Sequence, residues 1–175
     1  MVVARQDYEA TEAVLEKTAL RLKAPLFRHG QDYHVLQEDG RLIYQDENGL
    51  LDLPLPRLAG QHQIVNAGTA IATLRSAGFG LHDNSLFEQG LMRATWPARL
   101  QNLVSGQLIA NLPQGSELWL DGGHNLDGAR ALAAALHTLQ HQHNRPLILI
   151  TGLLNTKDSQ GFLSQFISCL LYTSP

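Results

Sequence analysis

The chain has 175 residues, 16 acidic and 13 basic side chains, a formal charge of −3 and one cysteine. That length buries a real core but is short for two complete α/β domains, and the basic excess of a nucleic-acid surface is missing. The longest apolar run near the end, from Phe166 to Tyr172, is broken by Ser168 and too short to cross a bilayer, and no secretory leader pattern opens the chain. Cys169 has no partner for an internal disulfide, which suits a reducing, cytoplasmic setting; it reads as a small buried hydrophobe rather than a catalytic thiol.

In chain order, Val2 and Val3 end a strand, and Asp7 to Leu20 forms a helix with Ala10, Ala13, Val14, Leu15 and Ala19 on its apolar side. Val35 and Leu36, then Leu42, Ile43 and Tyr44, are strands of a hairpin around Glu38-Asp39-Gly40. Pro54 and Pro56 keep residues 51–58 out of a central strand. Ile64, Ala67, Ile71 and Leu74 recur at the helical period, so a second helix begins near Gln61 and stops at Gly78 and Gly80. Asp83 or Asn84 caps a short helix carrying Leu86, Phe87 and Met92. Trp96-Pro97-Ala98-Arg99 is a boundary, because the proline holds Trp96 extended and ends any helix before it.

From residue 98 onward the pattern is β-α-β-α. Its segments are 103–109, the strand 117–120, a helix from about Asp127 through Leu132 and Leu136, the β-prone run Leu147-Ile148-Leu149-Ile150, and a helix after Ser159 with Phe162, Leu163, Phe166 and Ile167 facing inward. A doubly wound sheet of two or three strands leaves an apolar edge, so the chain reads as truncated at both ends.

Chemistry concentrates where Leu118-Trp119-Leu120 runs into Asp121-Gly122-Gly123-His124-Asn125 and then a helix. A strand, glycine turn and helix in that order present polar side chains, turn N–H groups and a positive helix end to an anion or nucleotide. Asp121 either accepts hydrogen bonds from ribose hydroxyls or caps the helix, for which Asn125 and Asp127 are better placed. His124 either donates to a phosphate or bonds to its own turn. Arg99 either forks onto a phosphate or is a solvated linker residue. Trp96 fits a junction anchor better than a stacking ring.

Asn66, mildly unfavourable inside a helix, either reads a base edge or faces water, with His62 and Gln63 as caps or nearby contacts. Lys157-Asp158 either neutralises phosphate or starts a helix. His137, His141 and His143 lack a further ligand at metal-binding spacing, and no G-x-x-x-x-G-K-[ST] loop occurs anywhere.

Several separated segments fall into one family pattern: 58–67 (Leu-Ala-Gly-Gln-His-Gln-Ile-Val-Asn-Ala), 96–101 (Trp-Pro-Ala-Arg-Leu-Gln), 120–125 (Leu-Asp-Gly-Gly-His-Asn) and, more weakly, Thr151-Gly152 with Lys157-Asp158. In order and spacing they resemble the C-terminal half of folylpolyglutamate synthase/dihydrofolate synthase, in the Mur ligase superfamily. The resemblance implies an α/β fold in which residues 1–95 end a central P-loop-type ATPase domain, 96–100 form an interdomain hinge, and 101–175 are an incomplete Rossmann-like C-terminal domain.

It also implies ATP and Mg2+ as cofactors, and an acyl phosphate formed on dihydropteroate or a reduced folate and attacked by the amine of L-glutamate. Asn66 would meet adenine, Arg99 phosphate, Asp121 the ribose, and His124 the nucleotide near its phosphates, with no metal ligand in this chain. The intact protein would be a cytoplasmic monomer, independent of nucleic acid and membrane, and this chain would be inactive alone. A Mur-type peptidoglycan ligase or a non-catalytic nucleotide-binding module are the alternatives. Ala98 stands where the family usually has glycine, Gly123 where it has alanine, and Leu126 where proline is common.

Overall fold

A computed structural model describes residues 1–143 and 146–167, without the side chains of 141–143. Cys169 and the side chains of His141 and His143 therefore lie outside the described residues. The fold is α/β, and its backbone forms two compact units: residues 1–57 with 62–95, and residues 58–61 with 96–175.

In the first unit, Val2–Val3 (β1) pairs in parallel with Phe27–Arg28 (β2), and Glu9–Leu22 (α1) makes the crossover between them. Of the apolar side expected on α1, Ala19 is buried and Leu15 half-buried, while Val14 is 63% exposed. The inner face is shared with charge, since Glu16 pairs with Arg28.

Tyr33–Glu38 (β3), Arg41–Asp46 (β4) and Gly49–Pro54 (β5) form an antiparallel sheet in the order β3-β4-β5. The β3–β4 loop is Asp39-Gly40, with φ of 48° and 75°. A two-residue hairpin turn with positive φ at both positions selects an Asp-Gly pair. The prolines exclude a central strand, and β5 is not one. Pro54 is its last residue and β5 is an edge strand, so the missing N–H falls where proline is tolerated.

His62–Ser76 (α2) and Ser85–Arg93 (α3) pack on this sheet. The alternating buried residues Leu42, Tyr44, Leu51 and Leu53 meet Ile64, Ala67, Ile71 and Ala72 of α2 and Phe87 and Leu91 of α3. Close approach of α2 needs Gly68, where a Cβ would lie 2.4 Å from Val35 Cγ1. Asn84 occupies the N-cap position of α3 without a side-chain bond, while Asp83 Oδ1 accepts the Ser85 N–H at 2.9 Å.

A buried ion pair links α2 to the end of β4. Arg75 Nε and Nη2 donate to the two oxygens of Asp46, each at 2.9 Å, and both side chains are at most 2% exposed. Tyr44 Oη and the Asn48 N–H also donate to Asp46, at 3.0 and 2.8 Å. With every lone-pair direction used, the carboxylate is compensated well enough to sit away from water. Burial pushes the phenols of Tyr44 and Tyr33 above their usual range, the Asp46 charge adding to the effect on Tyr44.

In the second unit, Gln101–Leu103 (β6) pairs antiparallel with Leu118–Leu120 (β7), Gln101 opposite Leu120. Gly106, at φ 113°, splits the stretch expected at 103–109 into the end of β6 and the single turn Gln107–Ala110 (α4). Leu126–His143 (α5) contributes Ala129, Ala133 and Leu136 to a core with Leu100, Phe162 and Phe166. Spacings of four and three residues are the signature of one helical face.

Residues 147–150 keep the alternation of a strand, Leu147 and Leu149 half-buried and Ile148 and Ile150 83% and 90% exposed, yet they join no ladder. A strand is defined by its partner, and no described residue supplies one. Ser159–Ser164 (α6) buries Phe162 and the turn after it buries Phe166, while Leu163 and Ile167 are 41% and 68% exposed rather than facing inward. Asp158 caps α6, its Oδ1 accepting the Gly161 N–H at 2.8 Å. Trp96 is 66% exposed, so burial does not make it an anchor. Among the described residues no helix is long and apolar enough to cross a membrane.

Candidate functional site

Asp121 follows β7 and works on the backbone around it. Its Oδ2 accepts the Leu100 N–H and its Oδ1 the Gly123 N–H, both at 2.7 Å. The Gly122 N–H donates to the Ala98 carbonyl at 2.8 Å, and the Ala98 N–H donates to Gln101 Oε1 at 2.9 Å. Segments 98–101 and 121–123 are thereby stitched side by side, which brings Arg99, Asp121 and His124 to one place in the second unit.

The residues either side of Arg99 are conformationally unusual. Ala98 has φ 54° and Leu100 φ 42°, in the left-handed region that costs an L-residue roughly 1–2 kcal/mol. Leu100 is buried in the core, whereas Arg99 is exposed and its guanidinium has no hydrogen-bond or ion-pair partner among the described residues. A free planar fork beside a glycine turn is suited to two oxygens of one phosphate.

His124 is exposed, with Nδ1 3.1 Å from the Gly122 carbonyl. Protonated on Nδ1, the ring donates to the turn and turns Nε2 away from it. Asn125 caps α5: its Oδ1 accepts the Gly128 N–H at 2.8 Å and its carbonyl the Ala129 N–H at 2.9 Å. Asp121 is thus released from capping, and Asp127 pairs with Arg130 at 3.5 Å. Of roughly four acceptor directions on a carboxylate, Asp121 uses two, leaving capacity for hydroxyl donors. Gly123 leaves that carboxylate room, since a Cβ there would stand 2.9 Å from Oδ1.

The remaining candidates lie elsewhere. Asn66 belongs to the first unit, where it is exposed on α2 and its Nδ2 donates to Gln63 Oε1 at 3.2 Å; Gln63 Nε2 lies 2.9 Å from His62 Nε2. Lys157 is exposed beside the Asp158 cap. His137 is an exposed, partnered side chain on α5. Among the described residues there is no group of three or more His, Cys, Asp or Glu side chains that could hold a metal ion. Gln101 and the backbone of Ala98 and Leu100 were not singled out from the sequence; the signal was the alanine standing where glycine is usual.

No protein-family model matches the chain. Folylpolyglutamate synthase from Lacticaseibacillus casei is 34% identical over 123 residues, 67% of this chain and 26% of that enzyme. The structure of Escherichia coli FolC in complex with DHPP and ADP matches with a TM-score of 0.77 at 27% identity, over 97% of this chain and 36% of that one. Bifunctional folylpolyglutamate synthase/dihydrofolate synthase from Yersinia pestis, complexed with AMPPNP and a Mn ion, matches with a TM-score of 0.75 at 29% identity, over 95% of this chain and 36% of that one. The chain therefore spans only 26% to 36% of the length of these relatives. Sequence and fold agree across most of its residues, and the chain belongs to the folylpolyglutamate synthase/dihydrofolate synthase family.

Proposed function

We propose that this chain is part of an ATP-dependent ligase that adds L-glutamate to dihydropteroate, reduced folates or both through an acyl phosphate. In this reading residues 1–95 end a central ATPase domain, 96–100 are a hinge, and 101–175 are an incomplete Rossmann-like Mur ligase C-terminal domain. Arg99 holds a nucleotide phosphate, His124 lies near the phosphates, Asp121 accepts from the ribose hydroxyls, and Asn66 meets adenine. The observation that carries the proposal is the uncompensated Arg99 side chain on a backbone segment that hydrogen bonds hold beside the turn of Asp121 and His124. Phosphoryl transfer depends chiefly on positioning and charge stabilisation, which such a group supplies.

Magnesium would neutralise charge on the phosphates, and by the family resemblance its ligands would lie mostly outside this chain. The sequence has no phosphate-cradling loop, so the chain by itself binds nucleotide weakly and does not ligate. The intact enzyme acts as a cytoplasmic monomer. Folate over a peptidoglycan substrate is favoured by the folate-enzyme names of the relatives, which also speak against a non-catalytic module.

Calorimetric titration of the 175-residue chain with ADP tests this. Arg99→Ala lowers ADP affinity about tenfold, the size of one lost charge-assisted hydrogen bond, with the far-ultraviolet dichroism unchanged. Equal affinity for the two chains contradicts the phosphate role, and glutamate ligation by the 175 residues alone contradicts the reading of an incomplete enzyme.

A further inference from the structure

We propose that Asp121 and Gln101 are positioning residues that hold residues 98–100 in a strained backbone conformation and so aim Arg99 at a phosphate-bearing ligand. This deepens the nucleotide reading above and rests on it. Left-handed alanine and leucine residues are uncommon, and two of them bracketing a single exposed cation are more so. Strained residues persist only where their surroundings over-determine them, and they gather at ligand clamps.

Here the over-determination is visible bond by bond. Asp121 Oδ2 takes the Leu100 N–H, Gly122 N–H gives to the Ala98 carbonyl, Gln101 Oε1 takes the Ala98 N–H, and the buried Leu100 side chain pins the far end. The second oxygen of Asp121 is tied to the Gly123 N–H, so the carboxylate cannot swing away without breaking its own turn. A backbone fixed on both sides of Arg99 leaves only side-chain freedom to lose on binding, which is preorganisation. Asparagine at 121 presents one oxygen where two are used, and so must abandon one of the N–H groups.

The 175-residue chain supplies both arms of the test. By amide hydrogen exchange, Asp121→Asn exposes the Leu100 or Gly123 N–H and Gln101→Ala exposes the Ala98 N–H, each exchanging about tenfold faster or more, while the Ala129 and Ala133 amides of α5 keep their rates. By titration, Asp121→Asn weakens adenosine through the lost ribose contact and weakens ADP about tenfold further. The additional loss on ADP vanishes in an Arg99→Ala background, and Ala98→Gly, which tolerates the left-handed conformation, recovers part of it. Equal fold losses for adenosine and ADP, or the same additional loss without Arg99, overturn the proposal and leave Asp121 with its ribose contact alone. If the unsubstituted chain binds no ADP, the nucleotide reading fails on its own; the clasp is then decided by the exchange rates, and unchanged rates overturn it.

Discussion

Two carboxylates, one in each unit, are used in opposite ways. Asp46 takes four hydrogen bonds, two of them from a buried arginine, and sits away from water between β4 and α2. Asp121 takes two, both from backbone N–H groups, and is only half-buried beside an arginine that pairs with nothing described. The first arrangement is saturated and can serve only the fold. The second has spare acceptor capacity, a free cation and a strained backbone, which is the profile of a place where a ligand completes the bonding.

The sharpest way to break this contrast is to remove each arginine. Arg75→Ala leaves Asp46 buried and unpaired, and should cost about 3–5 kcal/mol of stability, read as a lowered denaturation midpoint. Arg99→Ala should move the same midpoint by less than about 0.5 kcal/mol. If the two substitutions cost the same, the division between a structural and a functional pair is wrong. A smaller effect of opposite sign is expected at Ala98→Gly, which relieves left-handed strain and should stabilise by roughly 1–2 kcal/mol, less whatever glycine adds to the entropy of the unfolded chain.

The smallest effects are those of pH on the first unit. The phenols of Tyr33 and Tyr44 are raised by burial above the free value of 10.0. The stability they contribute is whole below pH 10 and is lost as pH climbs through their folded values. His29 is shifted the other way, lowered from 6.5 mainly by burial, so its contribution is whole above pH 6.5 and is lost as pH falls through the folded value. Denaturation midpoints should therefore decline on both sides of neutrality, and Tyr44→Phe should flatten the alkaline decline. An alkaline slope identical in that variant removes Tyr44 from the account.

Local signals in the sequence translated well. Asp39-Gly40 announced a hairpin, the spacing of Ile64, Ala67 and Ile71 announced α2, and the apolar triplet before Asp121 announced β7 and the turn into α5. Features that depend on distant partners did not. Pro54 and Pro56 excluded a central strand, as found, but did not reveal the edge strand β5, because whether a strand lies at an edge is decided by its neighbours rather than by itself. Residues 147–150 carry strand chemistry without a ladder, since pairing is a property of two segments. Asp121 was legible as a polar group at the end of a strand, but its grip on Leu100, 21 residues earlier, was not. Ala98 gave half a clue: a residue where glycine is usual marks a position of positive φ, and only the backbone shows how that conformation is held.

The central claim is that the turn after β7 and the segment around Arg99 form one nucleotide-binding surface. Amide chemical-shift titration of the 175-residue chain with ADP tests it most directly. The account predicts saturable shifts at Arg99, Leu100, Gly122, Gly123 and His124, with the hairpin amides of Asp39 and Gly40 unmoved. Saturable shifts that leave those five amides still would contradict it.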